Sequence, residues 1–195
     1  MDERPPIKTK SRIVYHNMHN IKKISKHLSK SSIEKLIHGL VFSHLDYCNS
    51  LLFGLPKYQL HRLKKVQNFA ARVISSINYY DHITPVLMNL HWLPVEYRIQ
   101  YKIIMLVYKS VHGRAPSYLQ AMCLIKQSSY NLRRSTCSDT SLVIPFIKHS
   151  TLGGRAFAHS GPVLWNSLPI ALRESVSLEV FKAKLKTHLF KLAFL

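Results

Sequence analysis

Acidic residues are scarce in this chain. Nine Asp and Glu stand against 28 Lys and Arg in 195 residues, a formal net charge of +19. So few carboxylates leave little for acid–base or two-metal chemistry, and no two Asp are adjacent. Cysteine is scarce too. Cys48, Cys123 and Cys137 are odd in number, widely spaced and form no C-x-x-C pair. That pattern argues against a zinc finger or a disulfide framework and predicts reduced thiols inside a cell, in nucleus or cytoplasm. His16 and His19 are close, with no Cys or acidic partner in reach by sequence. No apolar run approaches the roughly 20 residues that cross a bilayer. The start, Met1-Asp2-Glu3-Arg4-Pro5-Pro6, lacks the apolar segment of a secretory signal. A serine elbow and a phosphate-binding loop ending in Lys and Ser/Thr are missing as well.

What is present is a foldable, basic chain. Hydrophobic residues make up 47 %, enough for a core and too many for a disordered basic tail. The length fits one domain or two small ones. Residues 1–115 carry 18 basic and 6 acidic side chains, and residues 116–195 carry 10 and 3. The folded parts themselves are therefore basic, and such a surface repels itself unless a polyanion is near. Nucleic acid is the commonest such partner, an anionic membrane the second.

Periodicity predicts mostly helices. Residues 1–11 read as a polar, disordered lead-in. A helix is expected over Arg12–His27, with Ile13, Ile21, Ile24 and Leu28 as its apolar residues in an imperfect pattern. Ser31-Ser32-Ile33-Glu34 reads as a capping box for a helix whose stripe is Ile33, Leu36, Ile37, Leu40, Val41 and Leu45. Pro56 opens the next helix, to about Ile77, with Leu63, Val66, Ala70, Val73 and Ile74 on one side. His61, Lys64, Lys65, Asn68 and Arg72 fall on the other. Thr84-Pro85 reads as a cap and first-turn proline. The helix from Pro94 to Gly113 is apolar almost all round and should be central; its polar strip is Arg98, Lys102, Lys109 and His112. Further on, Ile125–Thr140 reads as a loop, Ser141–Phe146 as a strand, and a second short strand follows Lys148. Gly153-Gly154-Arg155 then reads as a tight turn and Gly161-Pro162 as a helix opening. Ser177 caps a final helix that turns Leu178, Phe181, Leu185, Leu189 and Leu192 inward.

The informative feature is the pair of basic helix faces. Solvated faces usually mix signs, whereas Lys64, Lys65 and Arg72 on one helix and Arg98, Lys102 and Lys109 on another lie on strips without acid. Such rows can track phosphates. Tyr79, Tyr80, Tyr97 and Tyr101 can stack on bases, although tyrosines on a core helix also serve packing. Cys48 follows an apolar stripe and reads as a buried structural thiol rather than a nucleophile.

Longer segments carry a resemblance. His44-Leu45-Asp46-Tyr47-Cys48-Asn49-Ser50-Leu51-Leu52-Phe53-Gly54-Leu55-Pro56 resembles a stretch of LINE-type (non-LTR) retrotransposon reverse transcriptases of the jockey-like branch. Further matches follow in that family's order: Val66–Arg72, Ile83-Thr84-Pro85, Leu90–Val95 with Arg98-Ile99, Gly113–Leu119, Gly154–Phe157, Leu164–Pro169 and Phe181–Lys186. The resemblance spans about residues 12–192. It implies the region after the palm, without the endonuclease, fingers or palm. The Mg²⁺ of such RNA-directed DNA polymerases is expected in that missing palm, so no catalytic residue and no cofactor is expected in this chain. The family's thumb grips the primer–template duplex by backbone and shape.

The expected fold is therefore mainly α, a helical-bundle thumb at 12–115 followed by a smaller α+β region at 116–195. The expected function is nucleic-acid binding, to an RNA–DNA hybrid or template RNA, through Lys64, Lys65, Arg72, Arg98, Lys102 and Arg155. The alternative is a non-catalytic protein-interaction module or a decayed mobile-element remnant.

Overall fold

Where apolar residues recur at three- and four-residue spacing, the chain is helical. The computed structural model describes residues 6–126 and 140–195. Most of the expected loop at 125–140, with Cys137, lies outside the described residues. Among those described there are α-helices and short 3₁₀ and π turns but no strand. Contacts divide the chain into two compact units, Met1–Ile99 with Ala193–Leu195, and Gln100–Leu192. They part inside a helix, between Ile99 and Gln100.

The first unit contains α1 (Pro6–Ile24), α2 (Lys30–Ile37), α3 (Ser43–Asp46), α4 (Lys57–Ser75), α5 (Thr84–Asn89) and the start of α6 (Val95–Val111). α1 packs on α4 and on the α2–α3 rod. Residues 6–11, expected as lead-in, belong to α1; Pro6 suits a first helical position because its missing N–H would have no helical partner there. The buried stripe of α1 is Val14, Met18 and Ile21. Ile13 and Ile24, two of the apolar residues of this helix, are 44 % and 47 % exposed, because they fall about 100° round the helix from that stripe.

Ser29, not Ser31, caps α2. The chain enters extended at Ser29, and its Oγ accepts from the Ser32 N–H at 3.2 Å. Between α2 and α3 one turn, His38–Phe42, is π-wound. Four-residue steps drift about 40° each along an unbroken α-helix. The wide turn takes up that drift, so Ile33, Ile37, Val41 and Leu45 are all buried while Leu40 turns outward. Carbonyls in the turn find side-chain donors: the Ser43 hydroxyl donates to Gly39 O, and Asn17 Nδ2 on α1 donates to Leu40 O at 3.1 Å.

α4 starts after Pro56 and stops at Ser75, where Ser76 turns left-handed (φ 51°). Leu60, Leu63, Val66, Ala70, Ala71 and Ile74 are buried with Gln67 among them. Gln67 pins the link between α5 and α6. Its Nε2 donates to Leu93 O at 2.8 Å, and its Oε1 accepts from Val95 N at 3.1 Å. The N-cap of α5 is Ile83 rather than Thr84. Gly113, left-handed at φ 66°, closes α6, and Arg114 N donates to Lys109 O at 2.7 Å.

The second unit is built from the rest of α6, α7 (Ser117–Gln120), α8 (Ser150–Gly153), α9 (Phe157–Asn166), α10 (Ile170–Arg173) and α11 (Leu178–Phe194). Its core is aromatic. Phe181 stacks on Tyr108 at 4.1 Å between ring centroids and meets Trp165 at 5.9 Å. Gly161 and Pro162 lie inside α9 instead of opening it. A Cβ on Gly161 would stand 2.9 Å from Val107 Cγ2, so only glycine lets α9 approach α6 this closely. Ser177 does cap α11, accepting from Val180 N at 3.3 Å, and Phe181, Leu185 and Leu189 are buried while Leu192 is exposed.

The α+β expectation for this region is corrected. The segment 141–146 makes one antiparallel bridge, Ile125 to Leu142, and the expected second strand is replaced by α8. Pro145 removes a ladder donor, and a side chain takes the place of a partner strand. Asn166 Oδ1 accepts from Leu142 N and its Nδ2 donates to Leu142 O, both at 2.9 Å. The Trp165 indole N–H donates to Thr140 O at 2.7 Å. Gly153 closes α8, so Gly153-Gly154 follows a helix and not a strand.

Candidate nucleic-acid interface

α4 carries Lys57, Arg62, Lys64, Lys65 and Arg72 and no acidic residue. Its buried side is fixed by the apolar stripe and Gln67, which forces the basic residues outward. His61, Arg62, Lys64 and Lys65 are exposed, and Arg72 is half-buried in the last turn. At about 100° per residue, His61, Lys64, Lys65 and Arg72 occupy one side of the helix, with Lys65 about 10 Å along the axis from Arg72.

Arg72 organises the chain beyond α4. Its Nε donates to Asn78 O at 3.3 Å and an Nη to Asp81 O at 3.2 Å. Asp81 N donates to Asn78 O at 3.3 Å, and Asn78 N to the Asp81 carboxylate at 2.8 Å. These bonds make Asn78-Tyr79-Tyr80-Asp81 a closed β-turn on the end of α4. Tyr79 lies under the Arg72 guanidinium, 5.5 Å from ring centroid to Cζ, and the two tyrosine rings meet edge to face at 5.5 Å. Burial pushes the Tyr15 phenol up, and the Tyr79 phenol adds to that shift.

Arg98 has an intramolecular partner that the sequence reading missed. Its Nε donates to Asp46 Oδ1 at 2.9 Å and an Nη to the other carboxylate oxygen, a bidentate pair. The guanidinium lies 4.4 Å over the Phe42 ring, which meets Trp92 edge to face at 4.5 Å. At a sequence separation of 52, no local spacing links Asp46 to Arg98; the one hint is that each of so few acids is a natural target for an arginine.

In the second unit Lys102 is exposed on α6, while Arg155 is half-buried and has an internal partner. Burial raises the Tyr101 phenol, with Lys182 pulling it down and Glu179 pushing it up; Lys182 also donates to Glu179 at 2.7 Å. The outer side of α11 presents Lys184, Thr187, His188 and Lys191 along a shallow groove. Thus Lys64 and Lys65 are brought together and open, Arg72 and Arg98 are engaged within the first unit, and Lys102 and Arg155 belong to the second.

Cys48, expected buried, is exposed in a left-handed turn (φ 51°) that ends the α2–α3 rod. Of the two described cysteines Cys123 is the buried one, its pKa raised by desolvation against a hydrogen bond with Ser110. Among the described residues no group of three His, Cys, Asp or Glu could hold a metal ion, and no helix is long and apolar enough to cross a membrane. Compared with protein-family models, curated proteins and solved structures, the chain matches none.

Proposed function

We propose that this chain is the thumb and C-terminal part of a LINE-type non-LTR reverse transcriptase, and that it grips the primer–template duplex by electrostatic contact with phosphates. The observation that carries the reading is the acid-free outer side of α4, where Lys64 and Lys65 stand exposed on a helix held by a buried stripe and the Gln67 clamp. The helix fixes where the two charges are anchored, so only the flexible lysine stems have to order when phosphates arrive. Lys64 and Lys65 lead the contact set; Arg72 and Lys102 follow. Arg98 would have to leave Asp46, and Arg155 its internal partner, so both contribute less. Catalysis belongs to a palm with its own Mg²⁺ carboxylates, and this chain supplies no step of it.

The test is binding to a random-sequence RNA–DNA hybrid at several salt concentrations. If about six phosphates are neutralised, log K falls against log salt with a slope of about −5, shallower on single strands. The double variant Lys64→Gln/Lys65→Gln should flatten that slope by about 2. An affinity independent of salt, or no binding in dilute buffer, overturns the reading and leaves a protein-interaction module.

A further inference from the structure

The turn at the end of α4 carries aromatic rings where turn chemistry does not ask for them. Tyr79 and Tyr80 occupy the two central positions of the Asn78–Asp81 turn, positions that usually go to Pro, Gly, Asn, Asp or Ser. They are 77 % and 93 % exposed. Such rings contribute almost no burial to the fold, so packing does not account for them. The turn is also braced: Arg72 reaches two of its carbonyls, and Asp81 spends its carboxylate on the Asn78 N–H. The rings are thus presented to solvent on a preorganised support, at the end of the acid-free row of Lys64 and Lys65.

We propose that Tyr79 and Tyr80 form a stacking platform for unpaired nucleotides of a single strand whose phosphates run along α4. This rests on the nucleic-acid reading above and adds to it a strand state, since paired bases offer no free face to a ring while unpaired bases of any identity do. The sequence preference should accordingly be weak. Charge complementarity selects the occupant. The row beside the rings is positive, and the Arg72 guanidinium on the turn offsets the single carboxylate there, which accepts from the Asn78 N–H. The Arg72 guanidinium takes one side of Tyr79, and the edge-to-face contact takes a face of one of the two rings, which leaves at least one open face on the almost fully exposed Tyr80 ring for a base.

The experiment compares a 12-nucleotide single strand, as RNA and as DNA, with a blunt hybrid duplex of the same length. For Tyr79→Ala/Tyr80→Ala, single-strand affinity should fall about tenfold to a hundredfold. Duplex affinity should stay within about twofold, and Tyr79→Phe/Tyr80→Phe should bind like the parent. Unchanged single-strand affinity in the alanine variant overturns the platform while leaving the duplex grip standing. Equal loss on both nucleic acids, with the melting temperature preserved, also overturns it and makes the turn part of a general phosphate surface. Failure of the parent chain to bind either nucleic acid in dilute buffer overturns the grip itself, a result that no tyrosine variant can produce. Both rings are exposed, so the substitutions should leave thermal unfolding unchanged, and that is measured alongside.

Discussion

Each of the two units is closed by one side-chain amide that stands in for a strand, and the two clamps differ in setting. Gln67 is fully buried between helices and fastens a short link, taking Leu93 O and Val95 N. Asn166 is half-buried at the end of α9 and fastens a long strap at Leu142. Around Gln67 the packing is aliphatic, with Val66, Ala70 and Ala71 at 0 % exposure. The strap beside Asn166 rests instead on an aromatic cluster, with Trp165 and Phe181 at 0 %. A unit made of periodic helices needs a polar group only to lock a joint. A unit with few long helices depends on a handful of large rings and on whatever holds its irregular chain against them.

That contrast is broken most severely at Trp165. Trp165→Ala removes the largest buried ring and leaves Thr140 O without its indole donor. The expected loss is about 3–5 kcal/mol, read by urea denaturation, with hydrogen exchange in α9 and α11 accelerating most. A loss under about 1 kcal/mol would mean that the strap and not the ring cluster holds the second unit.

The two clamps sharpen the comparison with effects that overlap that range at their upper end. Gln67→Ala strands a buried N–H and a buried carbonyl, each at a cost of about 1–3 kcal/mol. Asn166→Ala strands the same pair of groups at Leu142, but water can reach a half-buried site, so about half that effect is expected. Urea midpoints of the two variants measure the ratio; equal losses would show that both clamps are equally dry.

The same contrast explains what could be read from the chain beforehand. The helices at 57–75 and 95–111 were legible because their stripes are long and uninterrupted, and so was the exposure of Lys64 and Lys65 opposite a well-marked core. α2 and α3 were legible as helix but not in register, since a π-turn leaves no compositional mark and moves Leu40 out while keeping Leu45 in. The strap at 141–146 has strand composition, yet its backbone partners are an amide on α9 and one short bridge, and neither can be inferred from local alternation. Gly161-Pro162 suggests a boundary by local rules. The close approach of Val107, a tertiary fact, is what places the glycine within α9. Of the candidate site, the charges were legible and their engagements were not. Arg98 looks free until Asp46 is folded beside it, and the Arg72-braced turn exists only once α4 has ended at Ser75.

The smallest effect tests that engagement. Asp46→Ala leaves Arg98 without its bidentate partner, but the two side chains are 21 % and 40 % exposed, so water replaces much of what is lost. A pair in that setting contributes about 1 kcal/mol, and the guanidinium keeps its contact with Phe42. Urea denaturation at low ionic strength should therefore show a loss of about 1 kcal/mol that shrinks as salt is raised, because salt screens the parent pair and has nothing to screen in the variant. The same variant should bind a hybrid duplex more tightly than the parent, since Arg98 is released toward phosphates and one negative charge is gone. Weaker duplex binding with unchanged stability would instead make the Asp46–Arg98 pair a positioning element of the interface, held in place because the paired geometry aims α6 correctly.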